Sequence, residues 1–180
     1  ALDHAILNDA GFASSVAVAT ALASDGHLVT FGIKPDRAAT GYGYIRTGNP
    51  LADGFEVTRF TEKPSLADAE RYVAEGYLWN SGMFMFLANR FLAELSVLNR
   101  KIDAAVRAAW QGAEKELDFL RMPREPFARS PAISVDYAVM ERTRRAATAP
   151  LDAGWSDVGS FASLWEISCG AAQNRLRRCK

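Results

Sequence analysis

At 180 residues, 49% hydrophobic and 23% charged, the chain is long enough to bury one sizeable core and has the composition of a soluble globular domain. Its 21 basic and 21 acidic residues cancel, which removes any bulk electrostatic reason to bind nucleic acid or an anionic membrane, so an anionic ligand must be held by local groups. The only cysteines, Cys169 and Cys179, fall within the last twelve residues; they are too few and too clustered for a disulfide framework or zinc spacing, and a reducing, cytoplasmic setting is expected.

The start, Ala1-Leu2-Asp3-His4, has neither the basic residues nor the apolar run of a signal peptide, and no apolar stretch is long enough to span a membrane. It also lacks an initiator methionine and already reads as part of a folded element, so a piece of a longer protein is expected. Phe12, Val16, Ala19 and Leu22 recur at helical spacing, predicting a helix from Ile6 to Ala23 that ends at Gly26. Leu28–Ile33 is a compact β-rich run stopped by Pro35, as in a strand buried on both faces. Thr40–Ile45 carries Gly41 and Gly43, where backbone can come close to a ligand.

Phe55–Phe60 alternates as a strand that exits at Glu62-Lys63-Pro64. Ser65, with Asp68 in the capping-box position, predicts a helix through Tyr72 and Val73 that closes at Gly76. A buried strand is read at Met83–Leu87, then helices at Arg90–Leu98 and Ile102–Trp110, then a loop punctuated by Pro123, Pro126 and Pro131. Ser134–Arg142 reads as a short helix, Ala146–Leu151 as a strand, and Gly159-Ser160 opens a last helix with Phe161, Leu164 and Trp165. This alternation predicts an α/β fold, a three-layer sandwich with a mostly parallel, mixed central sheet. One domain is expected over residues 1–168, with 169–180 an unstructured basic tail.

Ligands of open parallel sheets sit at the carboxyl ends of strands. The residues read there are Asp3, Gly41–Tyr44, Glu62-Lys63, Trp79–Gly82, Asp136 and Trp155–Asp157. They are carboxylates, amides, glycines and a lysine; no serine or cysteine is paired with a histidine, so covalent catalysis is not expected. Each also has a plain structural reading. Asp3 suits a solvated or capping aspartate, Asp157 a helix N-cap, Glu62-Lys63 a surface ion pair, and Asn80 and Asp136 turn and helix-start chemistry. Trp79 and Trp155 read as core or pocket wall, and His4 and His27 stand without metal-ligand spacing.

In order along the chain, Thr30–Pro35, Gly41–Ile45, Glu62-Lys63-Pro64, Trp79–Phe84, Ser134–Glu141 and Gly154–Ser160 resemble the mannose-1-phosphate guanylyltransferase family of sugar-phosphate nucleotidyltransferases over about residues 1–167. The resemblance implies the Rossmann-like fold of nucleotide-diphospho-sugar transferases, here lacking its first strands, with mannose 1-phosphate and GTP as substrates and GDP-mannose and pyrophosphate as products. It implies Asp3 and Asp157 as magnesium ligands and, with Lys63, as the catalytic groups; Gly43, Glu62, Lys63, Asn80 and Asp136 are implied to bind the sugar phosphate. Neither nucleic acid nor membrane is expected as a partner, and self-association is left open.

The chain departs from the family in having no glycine-rich loop of the Gly-Gly-x-Gly type, and no Walker or Gly-x-Gly-x-x-Gly motif either. The 180 residues are therefore expected to be inactive alone. The rival readings are a thymidylyl- or uridylyltransferase for another sugar 1-phosphate and a non-catalytic fragment that binds sugar phosphate.

Overall fold

The computed structural model describes residues 4–159 together with Phe161, Leu164 and Trp165. In chain order the elements are β1 (His4–Ala5), α1 (Asp9–Ser24), β2 (Leu28–Ile33), β3 (Gly43–Leu51), β4 (Gly54–Thr61), α2 (Leu66–Ala74), β5 (Leu78–Met85), α3 (Ala88–Leu98), α4 (Arg100–Gln111), β6 (Glu114–Glu116), β7 (Phe119–Arg121), α5 (Arg124–Ala128), a π-helical turn (Asp136–Met140), β8 (Ala146–Pro150) and β9 (Ser156–Asp157). Asp3, Ser160 and the tail expected over 169–180 lie outside the described residues; of the expected last helix, Phe161, Leu164 and Trp165 are helical and exposed.

Local chemistry sets most helix ends. Asn8 accepts a hydrogen bond from the Gly11 amide at 3.1 Å and so starts α1 three residues later than the apolar spacing suggested. Gly26, at φ +88°, follows its end in the left-handed region that glycine tolerates. Ser65 caps α2 as expected: its hydroxyl oxygen accepts from the Asp68 amide at 3.2 Å and its O–H donates to the Asp68 carboxylate at 2.8 Å.

Every residue of β2 is buried, between β5 on one side and β8 on the other. The strand order is β2-β5-β3-β4-β8, and Phe55 and Glu56 of β4 reach β8 to close the circuit. The sheet is mixed, as expected, but less parallel: β2–β8 is parallel, whereas β2–β5, β3–β4, β3–β5 and β4–β8 are antiparallel. The two-residue turn at Ala52-Asp53 leaves β3 and β4 no other way to pair.

Alternation along the strands divides the core between two faces. Val29, Phe31, Tyr44 and Ala147 pack with α1 and α2, whereas their neighbours Leu28, Ile45 and Ala146 pack with Leu95 of α3 and with Ala138–Met140. Helices on both faces of one sheet make the three layers.

Three expectations change. β3 is a strand that the glycine-rich reading did not name, and β5 starts at Leu78 rather than Met83, so Trp79–Gly82 lie within a strand and not beyond one. The expected proline-rich loop holds the exposed β6–β7 hairpin and α5. Among the described residues no helix is long and apolar enough to cross a membrane.

Candidate functional site

The β3–β5 pairing sets Gly43 opposite Asn80, and β2 sets Gly32 opposite the same residue from the other side. Tyr44 pairs with Thr61 at the end of β4, so the next residue, Glu62, emerges beside Gly43. The π-helical turn brings Asp136 over Asn80, and Asp157 on β9 closes the rim. Gly43, Glu62, Lys63, Asn80, Asp136 and Asp157 thus line one cleft of about 360 Å³. Asp3 lies outside the described residues, but its neighbour His4 pairs with Asp157.

Gly43 leaves room for the Glu62 carboxylate: a Cβ would stand 2.6 Å from Glu62 Oε2 and 3.2 Å from Asn80 Cβ, so a larger residue would displace the Glu62 side chain. The Asn80 side chain is held on three sides. Its Oδ1 accepts from the Thr30 hydroxyl at 2.6 Å and from the Gly82 amide at 3.1 Å, and its Nδ2 donates to Asp136 Oδ1 at 3.2 Å. Thr30, fully buried, is a supporting residue that the reading of strand ends passed over; a hydroxyl within an apolar strand was the available signal.

Glu62 and Lys63 do form the ion pair of the plainer reading, at 3.8 Å, but the partners differ in exposure: the Glu62 side chain is 13% exposed and that of Lys63 63%. A pair so open on one side contributes little stability. Burial pushes the Glu62 carboxyl above its ordinary range, the Asp136 and Glu141 carboxylates push it further, and Lys63 pulls it partly back. Lys63 itself has φ +46°, a left-handed conformation uncommon for a residue with a side chain.

The wall opposite is aromatic. Tyr42 meets Trp79 and Trp155 edge-on, with ring centroids 5.0 and 5.6 Å apart, and the Trp155 indole N–H donates to His4 Nδ1 at 3.0 Å. Trp155 lines the cleft and Trp79 is buried core behind it, each within the expectation of core or pocket wall; the His4 contact joins β1 to that wall and has no sequence signature.

The described residues contain no group of three or more His, Cys, Asp or Glu side chains poised around a metal ion. The cleft does present three carboxylates, Glu62, Asp136 and Asp157. A hard cation such as magnesium is held by one or two carboxylates and completes its shell with water and phosphate oxygens, so this oxygen donor set fits it.

The raised Glu62 carboxyl predicts a pH-dependent trade-off. The folded state favours the protonated form, so the stability it contributes is present below the ordinary carboxylate range and is lost as pH rises through the raised value. Glu62→Gln should therefore match the wild type near pH 4 and melt higher at pH 7; thermal melts at both pH values that show no gain at pH 7 would contradict it.

Fold and site together define an α/β protein with a mixed central sheet flanked by helices and one cleft lined by three carboxylates, a side-chain amide and one lysine. The chain belongs to the nucleotidyl transferase family, whose model matches residues 2–174. It is 53% identical to mannose-1-phosphate guanylyltransferase ManC of Salmonella typhimurium, over 98% of this chain and 38% of that protein. It is 51% identical to xanthan biosynthesis protein XanB of Xanthomonas campestris pv. campestris, over 92% of this chain and 36% of that protein. The crystal structure of mannose-6-phosphate isomerase from Helicobacter pylori matches with a TM-score of 0.79 at 33% identity, covering 86% of this chain and 61% of that one. The chain thus spans less than two fifths of the length of these two curated relatives.

Proposed function

We propose that this chain is the sugar-phosphate-binding and cation-binding part of an enzyme that makes GDP-mannose from mannose 1-phosphate and GTP. The observation that carries the reading is the convergence of Gly43, Glu62, Lys63, Asn80, Asp136 and Asp157 on one cleft, in a chain about half identical to proteins of that activity. Residues 1–168 carry this unit, and the reaction takes place in the cytoplasm.

Each group has a role its chemistry suits. The Glu62 carboxylate accepts from sugar hydroxyls, and the Gly43 amide donates to one. Asn80 directs one of its two amide N–H groups to Asp136, which leaves the second for a ligand hydroxyl, and Asp136 accepts from another. Lys63 puts a point charge against the sugar phosphate. Asp157, with Asp3 as the resemblance implies, would hold magnesium, which when bound neutralises phosphate charge. In the reaction an oxygen of the sugar phosphate bonds to the α-phosphorus of GTP, the bond from that phosphorus to the bridging oxygen breaks, and pyrophosphate leaves with its electron pair.

Calorimetry of the chain with mannose 1-phosphate, and with glucose 1-phosphate as control, tests the substrate. Mannose 1-phosphate should bind in preference. Lys63→Ala should weaken it by the loss of a charge-assisted contact, about 1.5–3 kcal/mol or roughly 10- to 150-fold. Equal affinity for the two sugars would point to another nucleotidyltransferase, and an unchanged Lys63→Ala affinity would reject the role of the lysine.

A further inference from the structure

Three residues with side chains have a positive φ among those described: Ala52, Leu117 and Lys63. Ala52 and Leu117 sit in the tight turns of the β3–β4 and β6–β7 hairpins, where such a conformation closes the turn. Lys63 is in no hairpin. It also precedes Pro64, whose ring steers the preceding residue toward extended backbone with negative φ. A conformation disfavoured twice persists only where neighbouring groups hold it.

Glu141 bonds to the backbone beside it. Its Oε1 accepts the backbone N–H of Glu62 at 2.9 Å, one residue before the strained position and 79 positions away in sequence. The Glu141 side chain is on the surface, but its backbone is anchored. It follows directly on Ala138, Val139 and Met140, which are 2%, 0% and 1% exposed, and its own N–H donates to Asp136 O at 2.9 Å.

That last bond spans five residues and is what makes the turn π-helical. In an α-helix, at 3.6 residues per turn, positions 136 and 141 would point about 140° apart. Bonding from i to i+5 returns them to nearly the same side. The extra residue therefore lets one buried turn reach both walls of the cleft, Asp136 to the Asn80 amide at 3.2 Å and Glu141 to the Glu62 backbone at 2.9 Å.

We propose that Glu141 is a positioning residue for sugar-phosphate binding, fixing the Glu62-Lys63 backbone so that the Glu62 carboxylate stays beside Gly43 and the Lys63 amine stays at the mouth of the cleft. This rests on the functional reading above. It assigns a task to the last residue of the Ser134–Glu141 motif. It also makes the required chemistry specific: an acceptor is needed at the end of the 141 side chain, and a negative charge is not.

The test compares Glu141→Gln, which keeps a carbonyl acceptor at the same reach, with Glu141→Met, which keeps the length and removes the acceptor. Two quantities are read on each: exchange of the Glu62 amide hydrogen by NMR, and the dissociation constant for mannose 1-phosphate by calorimetry. Glu141→Met should speed Glu62 amide exchange and weaken mannose 1-phosphate, each about tenfold, while Glu141→Gln stays within about twofold of wild type in both. A lower melting temperature in Glu141→Met with unchanged exchange and affinity would reduce Glu141 to a structural residue and overturn the proposal. So would a Glu141→Gln variant as impaired as Glu141→Met, which would make the charge the active feature. A wild-type chain that binds no mannose 1-phosphate would overturn the functional reading and this role together; binding indifferent to Glu141→Met overturns this role alone.

Discussion

Incubated with GTP, mannose 1-phosphate and magnesium, the 180-residue chain should release no measurable pyrophosphate. In phosphoryl and nucleotidyl transfer the enzyme acts mainly by positioning and by placing donors against charge that spreads over the transferred phosphorus oxygens. Among the described residues that line the cleft, Lys63 is the only cation, and its side chain is 63% exposed and assigned to the sugar phosphate. The cleft wall facing it is formed by Tyr42, Trp155 and carboxylates, which offer the transferred group little positive potential. The sequence holds no Walker motif and no Gly-x-Gly-x-x-Gly from which a row of backbone amides could be directed at GTP phosphates. Loss of one such donor typically costs on the order of 100-fold in rate, and several are lacking together. A coupled pyrophosphate assay that finds turnover within tenfold of a full-length relative would refute this and would require donors that the cleft does not present.

How much of this could be read from the sequence depended on range. β2 and the Ser65 cap were legible because their determinants are contiguous: a run of apolar residues, and a hydroxyl three positions from its partner amide. β3 was not, because Arg46–Pro50 is polar and mostly exposed or half-buried, and its strand character comes from pairing with β4 and β5. β5 was misjudged at its start because Asn80, Ser81 and Gly82 interrupt the apolar pattern, whereas the stretch is paired with β2 and β3 and bonded through the Asn80 side chain to Thr30, fifty positions earlier. The same distinction applies within the site. Chemically conspicuous side chains such as Glu62, Lys63 and Asp136 stood out, while Glu141, which acts on a backbone amide, leaves no trace in residue type. The exposed β6–β7 hairpin carried no apolar alternation to read, since all six of its strand residues face solvent.

Removing Asp157 should cost the chain its divalent cation. Asp157 borders the cleft on β9, and the antiparallel pairing of β9 with β1 sets it opposite His4, the residue that follows Asp3 in sequence. This pairing is what supports the expectation that positions 3 and 157 serve one ion although 153 positions of sequence lie between them. Glu62 and Asp136 are poorer candidates for the same task. The Asp136 carboxylate already accepts from Asn80, and Glu62 is held above the ordinary carboxylate range by burial, whereas a metal ligand must give up its proton. Titrating manganese(II) into the chain in the presence of mannose 1-phosphate, with electron paramagnetic resonance reporting the free ion, should therefore show Asp157→Ala weakening the ion about tenfold or more, because magnesium-like sites depend on the count of charged oxygen ligands. Asp3→Ala should do the same. If both carboxylates hold one ion, the two substitutions are coupled and the double variant is less than the sum of the singles in free energy. Strictly additive losses would place the two aspartates on separate ions, and wild-type affinity in Asp157→Ala would remove Asp157 from the cation site altogether.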